Sequence, residues 1–87
     1  MHAVVVNVTL SDPEGSVGQL REQVVPAASQ APGFVAGYWT RKENTGLSMV
    51  VFDSEDAANG AKERVPGMLP DGVTLESIEV REVVAHA

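Results

Sequence analysis

The run Ala3-Val4-Val5-Val6-Asn7-Val8-Thr9-Leu10 carries no charge, holds four valines and stops at Ser11-Asp12-Pro13. β-Branched side chains favour a pleated, extended backbone. A segment with so little polar alternation has no face to give to water, so it reads as a well-buried strand closed by a turn. Covering such a strand on both sides is demanding for one domain of 87 residues, a size at which a lone core gives marginal stability. The chain has no cysteine, and its two histidines and scattered carboxylates do not supply a closed tetrahedral site. Disulfides, thiolate chemistry and structural zinc are thereby set aside, and no metal or cofactor is expected. Association with a second copy is the expected means of burying more apolar surface.

Beyond this strand, Asp12 is placed to cap a helix with Pro13 at its first position and Glu14 in its first turn. Val17, Leu20, Val24, Ala27, Ala28 and Ala31 recur at spacings of three and four, giving one apolar stripe. Pro26 should kink or break this helix after Val25, because it lacks an N–H and clashes with the preceding turn. Pro32-Gly33 ends it, strand two runs from Phe34 to Arg41, and the polar link Lys42-Glu43-Asn44-Thr45-Gly46 makes a hairpin into strand three, Leu47 to Phe52. Asp53 and Ser54 offer caps for a second helix through about Val65, with Ala57, Ala58, Ala61 and Val65 inward. Pro66 to Gly72 reads as a loop and Val73 to about Ala85 as the final strand.

The order strand, helix, strand, strand, helix, strand predicts a single α+β domain over residues 1–87. Its expected form is a ferredoxin-like four-stranded antiparallel sheet with two helices on one face. The other face would be bare, and Val-rich strands cannot leave a whole face to water. A homodimer packed through the open sheet face resolves both that exposure and the small core.

A net charge of -6 makes nucleic acid an unsuitable partner, since binding it requires cations that neutralise phosphates. Anionic membrane surfaces are disfavoured likewise, the apolar runs are far below spanning length, and no basic segment precedes an apolar stretch at the start. A cytoplasmic location is expected. There is no Gly-rich phosphate loop, nucleophile elbow or cysteine–histidine pair. RNA recognition on this element order would need basic, aromatic-studded central strands, which Ala3 to Leu10 and Leu47 to Phe52 are not.

Three of the four aromatic residues, Phe34, Tyr38 and Trp39, fall within six positions. Alternation sends Tyr38 and Trp39 to opposite faces, one toward the helices and one toward a partner sheet. Core and interface packing is the simplest reading for both. Phe34 shares the parity of Tyr38 and is expected in the core. Asn7, the one amide in strand one, must find a hydrogen-bond partner; it either orients a ligand or water in a pocket or satisfies the protein itself. His2 and His86 fall on neighbouring strands of such a sheet and can approach, but a metal would need further ligands. Glu79 and Arg81 share one face of the last strand, as do Glu76 and Glu82, and read as surface charges.

Ala31-Pro32-Gly33-Phe34 opening strand two, with Val51-Phe52-Asp53-Ser54-Glu55-Asp56-Ala57-Ala58 running from strand three into helix two, resembles the antibiotic-biosynthesis-monooxygenase-like family of the dimeric alpha+beta barrel superfamily. The element order matches over essentially the whole chain. The resemblance implies a homodimer and a pocket between sheet and helices. Haem-degrading members pair an asparagine on strand one, which Asn7 matches, with an iron-ligating histidine and bulky aromatics on helix two; Ser54 to Val65 holds neither. Cofactor-free oxygenases of the family use Asn, Trp, Tyr and Arg around the pocket. The expected function is a small-molecule binding or interaction module. The alternative is a cofactor-independent monooxygenase of an aromatic or polyketide-like substrate. The candidate pocket residues are Asn7, Tyr38, Trp39 and Arg41, with Asn7 and one aromatic orienting the substrate and Arg41 facing an oxyanion.

Overall fold

A computed structural model describes residues 1–87, the side chains of Pro13 and Ser16 excepted. Strand β1 (His2–Leu10) is followed by helix α1 (Pro13–Gln19), a π-helical turn (Leu20–Val24) and helix α2 (Val25–Ser29). Then come β2 (Phe34–Lys42), β3 (Thr45–Phe52), helix α3 (Glu55–Met68) and β4 (Val73–Glu82). The sheet is antiparallel in the order β2-β3-β1-β4, and the helices lie on one face. This α+β architecture is compatible with the ferredoxin-like arrangement. Central placement of β1 explains its lack of charge: Ala3, Val4, Val5, Val6 and Leu10 are all buried.

Local chemistry sets the element ends. The Asp12 carboxylate accepts from the Gly15 N–H at 3.3 Å, capping α1, and the Ser54 hydroxyl accepts from the Ala57 N–H at 3.1 Å, capping α3. Glu55 and Asp56 lie in the first turn of α3, where negative charge suits the dipole. Strand β4 stops at Glu82, short of Ala85, because its ladder partner β1 begins at His2, which pairs with Glu82. Helix α3 runs on past Val65 to Met68 with Pro66 inside it. Met68 extends the inward stripe of Ala61 and Val65 by one more turn and lines the same space between sheet and helices.

Pro26 does not break the helix; α2 stays helical from Val25 to Ser29. The irregularity lies one turn earlier. The Val25 N–H reaches back five residues to the Leu20 carbonyl, the wider π spacing. That widening gives the proline ring room where an α turn would press it against the carbonyl four residues back.

The core joins Val4, Val6, Val50, Phe52 and Ala58, with Phe34, Trp39, Val65 and others packed on it. Phe34 and Phe52 meet edge to face, centroids 6.3 Å apart and planes at 83°. Phe34 is thus in the core as expected, but not on the face of Tyr38. A bulge between Phe34 and Ala36 resets the alternation, so Phe34 lies with Trp39 toward the helices. A second bulge, opposite Asn7 and Val8, carries Glu76 to the open face, where it accepts from the Thr9 hydroxyl at 3.0 Å. Glu76 therefore does not share a face with Glu82. Among the described residues no helix is long and apolar enough to cross a membrane.

Candidate functional site

Helix α2 rests on β2, while α3 rests on β1, β3 and β4. The inward residues of both helical layers include Ala27, Ala28, Ala31 and Ala61, too small to close the space between them. A cavity of about 490 Å³ results, floored by the inward valines of β1 and β3 and roofed by residues such as Leu20, Val24, Val65 and Met68. This size and apolar character match pockets for small organic ligands. Its inner end reaches Phe52 and Val4, the most deeply buried large side chains.

Trp39 forms one wall. A Cβ on Gly37 would stand 2.6 Å from Trp39 Cη2 and 2.8 Å from Cζ3, so the indole lies back along its own strand over the space that glycine leaves open. Tyr38 points the other way and is 66% exposed. Arg41, two residues beyond Trp39 and on the same face, also lines the cavity.

Asn7 does not reach the cavity. It lies on the open face, where its Nδ2 donates to Ser77 Oγ at 3.0 Å, and it borders a shallower recess of about 360 Å³ with Thr9, Lys42 and Glu76. The four candidates are thus divided by the sheet, with Trp39 and Arg41 on the cavity side and Asn7 and Tyr38 on the other. His2 pairs through Nε2 with Glu55 at 3.2 Å, leaving a buried Nδ1 without a hydrogen-bond partner. His86 lies exposed beyond the end of β4. No three His, Cys, Asp or Glu side chains among the described residues gather as a metal site.

Two further lining residues, Arg21 and Arg64, do not stand out as candidates in the sequence. Arg21 does leave a trace there: it stands four residues after Val17 and three before Val24, a cation set into the apolar stripe of its helix. Arg64 leaves a fainter one, three residues after the inward Ala61. Its Nε donates to the Gly60 carbonyl at 3.2 Å, which holds the side chain along the helix. The described lining contains no Asp, Glu, His, Cys, Lys or Tyr. What it presents to a guest is apolar surface, the Trp39 ring, the Ser48 and Thr40 positions and the side chains of three arginines.

A scan of protein-family models finds no match to this chain, and a comparison with curated proteins finds none either.

Proposed function

We propose that the chain is a small-molecule binding module that takes a largely apolar ligand into the cavity between sheet and helices. On this reading it acts as a homodimer of the antibiotic-biosynthesis-monooxygenase-like, dimeric alpha+beta barrel type. The observation that carries the binding reading is the cavity itself. An 87-residue chain short of core volume leaves a partly open apolar recess of about 490 Å³ beside its only tryptophan, a space of the size that small organic ligands occupy. The homodimer is supported by the open face, where Val35, Tyr38, Leu47 and Met49 are exposed together while the β4 side carries the Asn7–Ser77 and Arg81–Glu79 contacts.

Titration with the neutral apolar dye N-phenyl-1-naphthylamine tests the binding reading. Saturable binding that quenches Trp39 is expected, and it should be lost when Ala28→Leu and Ala61→Leu together fill the cavity. No Trp39 response, or an unchanged one in the filled variant, overturns the reading. Sedimentation tests the assembly, and a folded monomer at micromolar concentration would sink the homodimer.

The oxygenase alternative draws support from Trp39 and Arg41 sharing the cavity. It lacks an amide there, because Asn7 bonds Ser77 on the opposite face. Oxygen consumption on a polycyclic phenol, abolished by Trp39→Ala and Arg41→Gln, is the result that would favour catalysis over binding.

A further inference from the structure

The charges of this chain are distributed unevenly about the cavity. Twelve acidic residues face six basic ones in the whole sequence. None of the twelve lines the cavity, whereas three of the six do: Arg21, Arg41 and Arg64. The ion pairs among the described residues are His2–Glu55 and Arg81–Glu79, so none of the three cavity arginines has a carboxylate partner there. In a chain with so many acids, three unpaired guanidinium groups around one apolar space form a local positive field that the net charge conceals.

They reach the one cavity from three different elements. Arg41 is the last residue but one of β2, beside the β2–β3 hairpin, and pairs with Gly46, Arg64 lies in the second half of α3, and Arg21 lies in the π-helical turn. In this antiparallel sheet the hairpin, the end of β1 and the end of α3 all fall at one end of the molecule. Each arginine is exposed overall although it lines the cavity. That is the posture of a long side chain whose stem lies along apolar surface and whose head stays near water. The charged heads therefore belong to the rim and the valine and phenylalanine side chains to the interior. Neither lysine of the chain lines this cavity. Guanidinium is the cation whose planar fork matches a carboxylate or sulfonate in two parallel hydrogen bonds. Arg64 has its Nε tied to Gly60 and keeps both Nη groups for such a contact.

We infer that the ligand is an amphiphilic anion, an apolar or aromatic body inside the cavity with a carboxylate-like or sulfonate-like oxyanion at the rim, held by Arg21, Arg41 and Arg64. This rests on the cavity being a binding site, and the test separates the two. Two probes of like body are titrated while Trp39 emission is monitored: 1-anilinonaphthalene-8-sulfonate, which is anionic, and N-phenyl-1-naphthylamine, which lacks the sulfonate. Arg21→Gln, Arg41→Gln and Arg64→Gln are each expected to weaken the sulfonate probe by about threefold to tenfold and to leave the neutral probe within about twofold. Raised salt should weaken only the anionic probe. Arg81→Gln, which removes a cation already paired with Glu79, should change neither.

Equal losses for both probes would mean that the arginines act by packing and would overturn the inference. So would a sulfonate affinity indifferent to all three substitutions, or an Arg81→Gln effect as large as theirs. If the neutral probe binds and the sulfonate ignores the arginines, the anion assignment alone falls. If neither probe reaches Trp39, the cavity reading falls with it.

Discussion

Gly33 has a φ of 81°, and its carbonyl accepts from the Asp53 N–H at 2.8 Å, locking the entry of β2 to the start of the second helical unit. A Cβ there would stand 2.5 Å from Asp53 Oδ1 and 2.9 Å from Ala57 Cβ. Gly33→Ala thus combines a left-handed backbone with two collisions, and a loss of about 2–4 kcal/mol is expected in urea unfolding. Glu43 is the opposite case. It holds a φ of 55° in the two-residue turn between Lys42 and Thr45, a conformation glycine adopts without steric cost. Relief of about 1–2 kcal/mol, less the extra freedom glycine has when unfolded, about 0.5–1 kcal/mol, leaves Glu43→Gly stabilising by up to about 1.5 kcal/mol. A fall in the urea midpoint would show that this turn is not strained.

The helical segment over the cavity shows how one residue reshapes an element. If the π-helical turn is the backbone's accommodation of Pro26, restoring an N–H there removes its cause. Pro26→Ala is then expected to shift global stability by less than about 1 kcal/mol, because the gain in helix propensity is opposed by a freer unfolded chain. Ligand affinity should respond more, since Leu20, Arg21 and Val24 all lie in the turn and line the cavity. Titration of the sulfonate probe checks this, and unchanged affinity would show that the turn does not aim those side chains. Much of the element pattern is legible in the sequence. The charge-free β1 announces its burial, and Asp12 and Ser54 announce the helix starts, because caps and periodicity are local properties. The two bulges and the π turn are not legible. Each bulge changes a count of residues by one without any distinctive side chain, and Pro26 marks a disturbance of its helix without saying that it takes the form of a π turn one turn earlier. Because of the bulges, simple parity puts Phe34 and Glu76 on the wrong faces. Arg21 is visible in the apolar stripe, but only a cavity beneath it distinguishes a lining cation from an interruption.

At the scale of the molecule the aromatic neighbours separate two kinds of stability. Trp39 packs on the core, so Trp39→Ala should destabilise the fold itself, by about 2–3 kcal/mol given its partial burial. Tyr38 is mostly exposed on the open face. If that face meets a second copy, Tyr38→Ala should shift the monomer–dimer equilibrium while leaving the unfolding of the dissociated chain nearly unchanged. Sedimentation at several concentrations with parallel denaturation separates the two, and equal effects of both substitutions would contradict a division of labour across the sheet.

Strand β1, central in that sheet, is also made before both strands that pair with it. Strand β1 cannot be closed on both edges until β4 exists, and the Asn7–Ser77 contact bridges 70 positions. During translation a valine-rich strand must wait, unpaired on at least one edge, for the last strand to emerge. Such a wait favours slow, late folding and exposes a template for cross-chain strand pairing. Chains cut short after residue 72 should accumulate as β-rich aggregates, whereas nicks in the exposed 84–87 segment should be harmless. The quality of this protein's production in a cell is therefore decided at its final strand.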